Sequence, residues 1–459
     1  MGSLAIKKVF SLLINFVLFS QLVFSLEVPA VSSNSSKEAT ALLTWKNSLQ
    51  NESQSHSSSW TSVSSSTLNL SRNPCNNWLG ISCNLAGSVV KIDLGNSSLQ
   101  GTLHGFSFSS LPNLAYIDLY MNTLFETIPP QISYMSKLEH LDLSFNQFSG
   151  KIPPQIGSLS KLKYLDLSCN QFSGKIPQEI GKLTNLEVLH LAYNNLNSSI
   201  PEEIGRLNFL TELLLHRNHI DGSIPSSLGN LTNLVNLLLS DNELSGFVPS
   251  EMGNLSNLDL LFIHRNCLIG PIPPTFGNLK KLISLSMFAN SFSGPIPLEI
   301  GNLNSLMQLS LLQNNLSGSI PPSLGDLANL TLLHLNNNNL SGSIPTEIGK
   351  LTSLISLQLN ENQLHGYLPT SFANLSNLVN LTLHDNQLTG PIPQGIGNLL
   401  NLAFLRVDTN QFIGNLPQNI CHGLSLRYFV ASNNHLDGRI PKSFKNCTSI
   451  VRVFLGDLK

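Results

Sequence analysis

An asparagine recurs every 24 residues through most of this chain, and that spacing constrains the fold more than any other feature. The unit around it reads LxxLxxLxLxxNxLxGxIPxxIGx. A fixed period of this length is the signature of a solenoid, in which each coil stacks on its neighbours. The asparagines that keep the interval are Asn122, Asn146, Asn170, Asn194, Asn218, Asn242, Asn266, Asn290, Asn314, Asn338, Asn362, Asn386, Asn410 and Asn434.

Each constant letter of the unit has a predicted structural role. The Leu-x-Leu core predicts a short strand that sends Leu141 and Leu143 inward and Asp142 outward. Stacking of coils then buries the aliphatic side chains, each worth about 1.5–3 kcal/mol. The asparagine is expected to turn inward and bond backbone groups of its own coil and the next, since unpaired buried polar groups cost about 1–3 kcal/mol. Gly150 and Pro153 are expected to bend the chain onto the convex side.

The N-terminal sequence and the glycosylation motifs indicate secretion. Lys7 and Lys8 precede an apolar run over residues 9–24, which is typical of a signal peptide over residues 1–25. A Ser-rich stretch over residues 53–67 predicts a solvated loop. The predicted N-glycosylation sites are Asn34, Asn51, Asn69, Asn96, Asn197, Asn230, Asn254, Asn315, Asn329, Asn339, Asn374, Asn380 and Asn446.

Two motifs before the repeats resemble the N-terminal cap of plant leucine-rich-repeat receptor-like kinases: EATALLTWKNSL at 38–49 and PCNNWLGISC at 74–83. The LxGxIP half of the unit resembles the plant class of these repeats. The resemblance implies an α/β leucine-rich-repeat solenoid with plant-type 24-residue repeats. It implies a right-handed curved superhelix with a concave parallel β-sheet and a helical N-terminal cap. The cap would span residues 26–88, and about fifteen repeats would span residues 89–459, with the last one truncated.

The six cysteines fall into three pairs, and a different bonding state is expected for each pair. The family resemblance implies a disulfide between Cys75 and Cys83. Cys421 and Cys447 lie one coil plus two residues apart; because adjacent coils are about 4.8 Å apart, a second disulfide is predicted there. Cys169 and Cys267 lie four coils apart, so they are expected to be free thiols, with a mixed disulfide to a partner as the alternative. No cysteine pair has zinc-site spacing, and no metal site is predicted.

Catalytic motifs are missing from the sequence. It contains no Gly-rich loop with a following lysine, no HRD loop and no DFG. HRN occurs at 216–218 and at 264–266, but its asparagine belongs to the repeat. The chain is therefore not expected to be an enzyme or to need a cofactor. The net charge of −2 gives no basic footprint for nucleic acid.

The variable positions beside the strand leucines are predicted to form a ligand groove on the concave face. Exposed aromatic side chains and arginines dominate binding hot spots, and Arg217 and Arg265 could meet a carboxylate through bidentate bonds. For any one of these residues a merely solvated role stays open. The candidate ligand-binding residues are His190, Tyr193, Glu212, His216, Arg217, Asp241, Phe262, His264, Arg265 and Phe288.

Two electrostatic hypotheses concern the same face. The outward histidines would be partly protonated at about pH 5–6, which predicts tighter ligand binding in an acidic cell wall. Asp93, Asp118, Asp142 and Asp166 make an acidic column in the early coils, interpreted as a solvated strand face or, alternatively, as a contact for a basic partner.

The family resemblance implies an extracellular ligand-binding ectodomain of a plant receptor-like kinase. Its partners would be a secreted peptide or protein and a leucine-rich-repeat co-receptor. The next repeat asparagine is due at 458, where the sequence has Leu458. A truncated ectodomain is therefore expected, with the membrane segment and a serine/threonine kinase missing. The location would be the outer face of the plasma membrane, or the cell wall for a secreted form. The alternatives are a secreted inhibitor of a pathogen wall-degrading enzyme and a kinase-less receptor-like protein.

Overall fold

The computed structural model describes residues 33–50, 59–60 and 74–456, which form a solenoid of stacked coils. The predicted fold is confirmed: every repeat contributes a strand to one long sheet, and an N-terminal cap precedes the first coil. The predicted signal peptide, Asn51 and Asn69 lie outside the described residues.

The concave sheet contains seventeen of the described strands. Its pairs are parallel and place equivalent residues of successive coils side by side, as with Leu189 and Leu213; the exception is the antiparallel pair β1–β2 at the cap. The strands are β1 (Ile81–Cys83), β2 (Val89–Asp93), β4 (Tyr116–Asp118), β6 (His140–Asp142), β8 (Tyr164–Asp166), β10 (Val188–His190), β12 (Glu212–Leu214), β13 (Asn236–Leu238), β15 (Leu260–Phe262), β17 (Ser284–Ser286), β19 (Gln308–Ser310), β21 (Leu332–His334), β23 (Ser356–Gln358), β25 (Asn380–Thr382), β27 (Phe404–Arg406), β29 (Tyr428–Val430) and β31 (Arg452–Phe454).

A second series of parallel strands follows the repeat asparagines. It is divided into two groups by the coil of His219, which contributes only an isolated bridge to Asn197. The first group is β3 (Gln100–Gly101), β5 (Thr123–Glu126), β7 (Gln147–Gly150), β9 (Gln171–Gly174) and β11 (Asn195–Leu196). The second group is β14 (Ser245–Phe247), β16 (Cys267–Gly270), β18 (Ser291–Gly294), β20 (Asn315–Ser319), β22 (Asn339–Gly342), β24 (Gln363–Tyr367), β26 (Gln387–Pro391), β28 (Gln411–Gly414) and β30 (His435–Leu436).

Short 3-10 helices cover the convex side. They start after the proline of the Ile-Pro motif, whose fixed φ suits the entry to the turn, as at Pro153 with φ −70°. The helices are Phe108–Ser110, Pro130–Tyr134, Pro154–Ser158, Gln178–Lys182, Glu202–Arg206, Ser226–Asn230, Ser250–Asn254, Pro274–Asn278, Leu298–Asn302, Pro322–Asp326, Thr346–Lys350, Thr370–Asn374, Gln394–Asn398 and Lys442–Asn446.

The described α-helices are both in the cap: α1 (Ser33–Ser48) and α2 (Pro74–Asn77). Neither they nor any other helix in the described ranges combines the length and the apolar character that crossing a bilayer requires.

The repeat asparagines form a continuous ladder of buried side chains. Asn146 donates from Nδ2 to the carbonyl of Leu143 in its own coil at 3.2 Å and to that of Leu119 at 2.8 Å. Its Oδ1 accepts the N–H of Leu124 at 3.0 Å. Leu119 and Leu124 belong to the preceding coil, so the expectation of bonds to the following coil is wrong in direction. The ladder still satisfies backbone groups that no other described side chain reaches.

The residue before each ladder asparagine has a left-handed backbone conformation in fourteen consecutive described coils. Its φ lies between +51° and +56°, and its side chain varies freely. The conformation follows from stacking, because Phe145 N–H and Asn146 N–H both donate to carbonyls of the following coil. The residues at this position are Met121, Phe145, Cys169, Tyr193, Arg217, Asp241, Arg265, Ala289, Gln313, Asn337, Glu361, Asp385, Thr409 and Asn433.

The cap contains a cluster of tryptophans that corrects the interpretation of a solvated loop at Trp60; residues 53–58 and 61–67 lie outside the described residues. Trp60 is only 1% exposed and stacks on Trp78 with ring centroids 5.2 Å apart. Its indole donates to Leu79 O at 3.0 Å, and its own carbonyl accepts from Lys46 Nζ at 2.9 Å. The serine-rich sequence around Trp60 gave no indication of a core residue, because the composition of a segment does not reveal one buried side chain within it.

Two disulfides stabilise the ends of the described solenoid. Cys75 and Cys83 are joined in the cap, and Cys421 and Cys447 join neighbouring coils near the other end, each with a Cα–Cα distance of 5.4 Å. Cys169 and Cys267 are free thiols.

Replacing one ladder asparagine should destabilise the stack. Asn218 bonds Leu191 O, Leu215 O and Leu196 N, each at 3.0 Å. Asn218→Ala leaves the buried N–H of Leu196 without its partner. The two carbonyls keep one side-chain donor each, from Asn194 and Asn242, so we expect the free energy of unfolding to fall by about 1–3 kcal/mol. Chemical unfolding measures the change. The control is Asn195→Ala at an exposed neighbouring position, and an equal loss in both variants would contradict a special role of the ladder.

Relieving backbone strain at one left-handed position should stabilise the stack of coils. Thr409 is β-branched and has φ +51°, a conformation that asparagine tolerates better. We expect Thr409→Asn to raise the free energy of unfolding by about 1 kcal/mol. The matched control is Thr352→Asn, an exposed threonine outside the positive-φ positions. A gain of the same size in the control would show that strain at Thr409 is not the cause.

Candidate functional site

The ligand-binding residues predicted from the sequence lie on, or just after, five adjacent strands of the concave sheet. These strands are β10, β12, β13, β15 and β17. Parallel in-register pairing makes residues 24 apart direct neighbours. A side chain on one strand is therefore flanked by the side chains at the same repeat position in the preceding and following coils. The left-handed residues border the same surface: Tyr193 is 44% exposed, and Arg217 and Arg265 are exposed. We call the surface formed by Tyr193, His216, Arg217, Asp241, His264, Arg265 and Phe288 the central patch.

The first half of the central patch is an aromatic and cationic group. The guanidinium of Arg217 lies over the ring of Tyr193, 4.8 Å from its centroid. The ring of His216 meets Tyr193 edge-on, with centroids 5.3 Å apart. Among the described residues, no carboxylate lies within ion-pair distance of Arg217. This arrangement presents an unneutralised guanidinium beside an exposed aromatic face.

The second half of the central patch is charge-neutral. Arg265 Nη1 lies 3.3 Å from Asp241 Oδ1, and its guanidinium is 5.7 Å from the centroid of Phe288. The ring of His264 stacks on Phe288 at 4.3 Å and lies next to Phe262 at 5.8 Å. Arg265 therefore already has a partner, and any ligand carboxylate must compete with Asp241.

His190 and Glu212 are placed differently from the rest of the predicted groove. His190 is 8% exposed, with Nδ1 3.2 Å from Asp166 Oδ2 and Nε2 2.9 Å from Glu212 Oε2. The imidazole thus bridges two carboxylates, one from the preceding coil and one from the following coil. Both residues are engaged inside the protein, which leaves little of His190 for a ligand.

The acidic column is not uniformly solvated. The side chain of Asp93 is 46% exposed and pairs with Lys91 at 3.0 Å, whereas that of Asp166 is 13% exposed. Burial, and then the charge of Asp166, raise the pKa of Asp142 to about 7. Beside the column, His140 is stacked between Tyr116 and Tyr164, with centroids 4.1 and 4.3 Å away. Sequence reasoning missed this ring stack, although the 24-residue spacing of the three residues was a usable signal.

The pKa values of the histidines overturn the hypothesis that they respond to an acidic wall. Burial lowers the pKa to about 4 for His140, His216, His264 and His334, and it also lowers that of His384. The first four rings are therefore mostly neutral at pH 5–6.

His190 has the opposite shift. Burial alone would lower its pKa, but the hydrogen bonds with Asp166 and Glu212 prevail and raise the pKa to about 9. His190 is therefore charged throughout pH 5–7.5. Asp142, whose pKa is about 7, is a concave-face residue whose charge does change in this interval.

The predicted glycosylation sites leave most of the concave strands open. Most of the described ones are exposed at the ends of 3-10 helices or beside the second series of strands. Asn96 lies at the edge of the first coil, in the left-handed position. Asn380 is half-buried on β25, where its Nδ2 lies 3.4 Å from Ser356 Oγ. None of the described sites lies on strands β10 to β17, so glycans would not mask the central patch.

Comparison with family models identifies repeats along most of the chain and a cap before them. Models described as leucine-rich repeats match residues 87–148, 160–220 and 136–178. A single-repeat model matches residues 233–255, 305–327, 329–351, 353–375, 377–399 and 425–447. The leucine-rich repeat N-terminal domain matches residues 35–84.

Curated relatives are plant receptor kinases. A probable leucine-rich repeat receptor-like protein kinase of Arabidopsis thaliana is 42% identical over 116 residues, which is 25% of this chain and 10% of that protein. MDIS1-interacting receptor like kinase 2 of Arabidopsis thaliana is 46% identical over 102 residues, 22% of this chain and 9% of that protein. The matched segments thus span about a tenth of these kinases.

Solved structures of similar fold include receptor complexes. The PEPR1–AtPEP1 structure superimposes with a TM-score of 0.74 and 34% identity, covering 90% of this chain and 64% of that one. The Arabidopsis receptor kinase HAESA, in complex with the peptide hormone IDA and the co-receptor SERK1, superimposes with a TM-score of 0.64 and 30% identity, covering 90% and 76%.

The buried imidazolium predicts a pH-dependent contribution to stability. Because the folded-state pKa of His190 is about 9, above the ordinary 6.5, its stabilisation is complete below pH 6.5. It is lost as the pH rises through about 9. We therefore expect His190→Asn to be less stable than the native protein at pH 6, and the difference to shrink at pH 9.5 in urea unfolding.

A matched control for that measurement is His219→Asn. His219 and Glu243 form an exposed pair, with side chains 62% exposed and 3.2 Å apart. Exposed pairs contribute little, so we expect a change within about 0.5 kcal/mol at both pH values. A His190→Asn difference that stays constant with pH would contradict the bridging imidazolium.

Proposed function

We propose that this chain, which belongs to the leucine-rich repeat proteins and is homologous to plant leucine-rich repeat receptor kinases, is an extracellular ligand-binding domain that holds a small secreted peptide or protein on the central patch. The observation that carries the proposal is the exposed guanidinium of Arg217 on the ring of Tyr193, next to the Asp241–Arg265–Phe288 group. Arginine and aromatic side chains in such contact are typical of binding hot spots.

The dimensions of the central patch suit an extended peptide. The five adjacent strands of the concave sheet are β10, β12, β13, β15 and β17. At about 4.8 Å per strand they span roughly 19 Å, the length of about six extended residues. A peptide that crosses the strands would meet one set of variable side chains per coil. The solvated acidic and hydroxyl-bearing residues around the patch would then supply specificity rather than affinity.

Arg217 is the group best suited to a ligand carboxylate. Arg265 is partly neutralised by Asp241 at 3.3 Å, whereas no acidic side chain among the described residues pairs with Arg217. A carboxylate that reaches Arg217 gains charge-assisted, potentially bidentate hydrogen bonds without displacing an internal partner. A side-chain or C-terminal carboxylate of the ligand is therefore assigned to this position.

The wider role follows from the relatives rather than from the geometry. Peptide and co-receptor complexes are found among the structural neighbours, which supports a peptide ligand and a leucine-rich-repeat co-receptor for this protein. The proposed location is the outer face of the plasma membrane, with a serine/threonine kinase in the parent protein. An immunoblot that separates plant membranes from wall fluid tests this part. A soluble band near the size of the glycosylated chain would instead favour a secreted inhibitor or a kinase-less receptor.

The ligand site predicts a selective effect of one arginine. Synthetic secreted-type peptides of about 10–15 residues are screened by surface plasmon resonance against the secreted chain, with both free and amidated C-termini. We expect Arg217→Gln to weaken the binding of hits at least about tenfold, or ~1.4 kcal/mol. Glutamine already occupies the same left-handed position at Gln313, so the backbone is preserved.

The convex surface supplies the control. Arg206→Gln removes an exposed arginine at the end of a 3-10 helix and should leave binding unchanged. If the C-terminal carboxylate is the group bound, amidation should weaken binding to the native protein and have no further effect on Arg217→Gln. Hits that bind native and Arg217→Gln proteins equally would overturn the assignment of the central patch.

A further inference from the structure

Two pairs of neighbouring coils share one local geometry but differ in charge. In each, a left-handed residue of one coil faces a histidine and the next left-handed residue of the following coil. The first set is Asp241, His264 and Arg265, and the second, 120 residues later, is Glu361, His384 and Asp385. The first set carries its own cation; the second has a carboxylate where the first has Arg265.

In both sets the histidine Nε2 lies at a similar distance from the carboxylate of the preceding coil. His264 Nε2 lies 3.9 Å from Asp241 Oδ2. His384 Nε2 lies 3.8 Å from Glu361 Oε1 and 3.9 Å from Asp385 Oδ2. One donor atom from each of Glu361, His384 and Asp385 lies within 4.8 Å of the others. Two carboxylates thus converge on one ring nitrogen.

His384 is a buried ring without hydrogen bonds. The residue is 7% exposed, and its Nδ1 has no partner. Its Nε2 is too far from both carboxylates for a hydrogen bond and points into the space between them. A group placed between the two carboxylates would complete Nε2 but not Nδ1.

The surrounding side chains hold the carboxylates but do not neutralise them. Glu361 accepts hydrogen bonds from the amides of Asn337 and Asn360, the latter at 3.1 Å. The nearby cation, Arg406, is bound to Asp408 through Nε at 3.2 Å and Nη2 at 2.8 Å. Among the described residues, no lysine or arginine forms an ion pair with Glu361 or Asp385.

We propose that Glu361, His384 and Asp385 bind a divalent transition-metal cation at the concave face. Two carboxylate oxygens and one neutral imidazole nitrogen are a donor set suited to Zn²⁺ or Mn²⁺ rather than to Ca²⁺ or Mg²⁺, which prefer oxygen ligands alone. The side chains of Glu361 and Asp385 are 45% and 49% exposed. They can therefore close onto an ion at the roughly 2.0–2.2 Å that such bonds require.

The expected affinity is moderate. Metal-bound histidines usually donate their second N–H to an acceptor, and losing that contact costs about 10–100-fold in affinity. His384 Nδ1 lacks such an acceptor. We therefore expect micromolar binding with one open face, where water or a ligand carboxylate completes the coordination.

The first experiment is calorimetric titration of the metal-stripped full chain with ZnCl₂ and, separately, MnCl₂. Two competing sites are removed in the parent protein: the exposed thiol by Cys267→Ser and the Asp118–His140–Asp142 cluster by His140→Gln. We expect the parent to bind one equivalent more than the same protein carrying Asp385→Arg, which copies the charge pattern of Asp241, His264 and Arg265. Equal stoichiometry and affinity in both proteins would overturn the proposal.

Two further variants keep the test decisive. His384→Asn removes the nitrogen donor and should also lose the extra equivalent, while unfolding in metal-free buffer shows whether each variant is folded. Arg265→Asp in the same parent introduces the second carboxylate beside Asp241 and His264, and we expect it to gain one equivalent. The proposed geometry would be rejected if Arg265→Asp gained no metal equivalent and Asp385→Arg lost none. These titrations use the metal alone, so they are independent of the peptide-binding proposal.

Discussion

The hydrogen bonds of the asparagine ladder are the interaction on which the rest of the structure depends. Each side chain connects carbonyls of two coils and accepts an N–H of the preceding coil, as Asn146 does with Leu119, Leu143 and Leu124. These bonds connect each coil to the preceding one at a fixed point of the repeat. The strands of neighbouring coils are then held in register, and residues 24 apart become neighbours.

That register determines the electrostatics of the concave face. A charged residue is flanked by the equivalent residues of two other coils, so like charges accumulate unless the sequence alternates them. Asp118, Asp142 and Asp166 show the unfavourable case, in which burial and then the charge of Asp166 raise the pKa of Asp142 to about 7. His190 shows the favourable one, since it bridges Asp166 and Glu212. The same rule separates the neutral Asp241–His264–Arg265 set from the anionic Glu361–His384–Asp385 set.

The two proposed sites use this surface in different ways. The central patch combines a guanidinium without an internal partner with exposed rings, which suits an anionic group on an extended peptide. The site at Glu361, His384 and Asp385 lies four coils further along the same column of left-handed residues. A cation there would add positive charge to the concave face. Both sites take some of their side chains, Arg217 in one and Glu361 and Asp385 in the other, from a position that the backbone holds at positive φ.

The sequence by itself determined the period, the inward leucines, the ladder positions and the parallel sheet, because these repeat in every coil and depend only on local spacing. It also allowed the lateral neighbours to be identified. Which neighbours pair was decided by the tertiary structure: His190 was expected to face a ligand and instead binds two carboxylates, and Trp60 was expected in a solvated loop and instead fills the cap. Burial decides both, because desolvation and ring stacking depend on what covers a side chain. The spacing of residues in one coil contains no information about that.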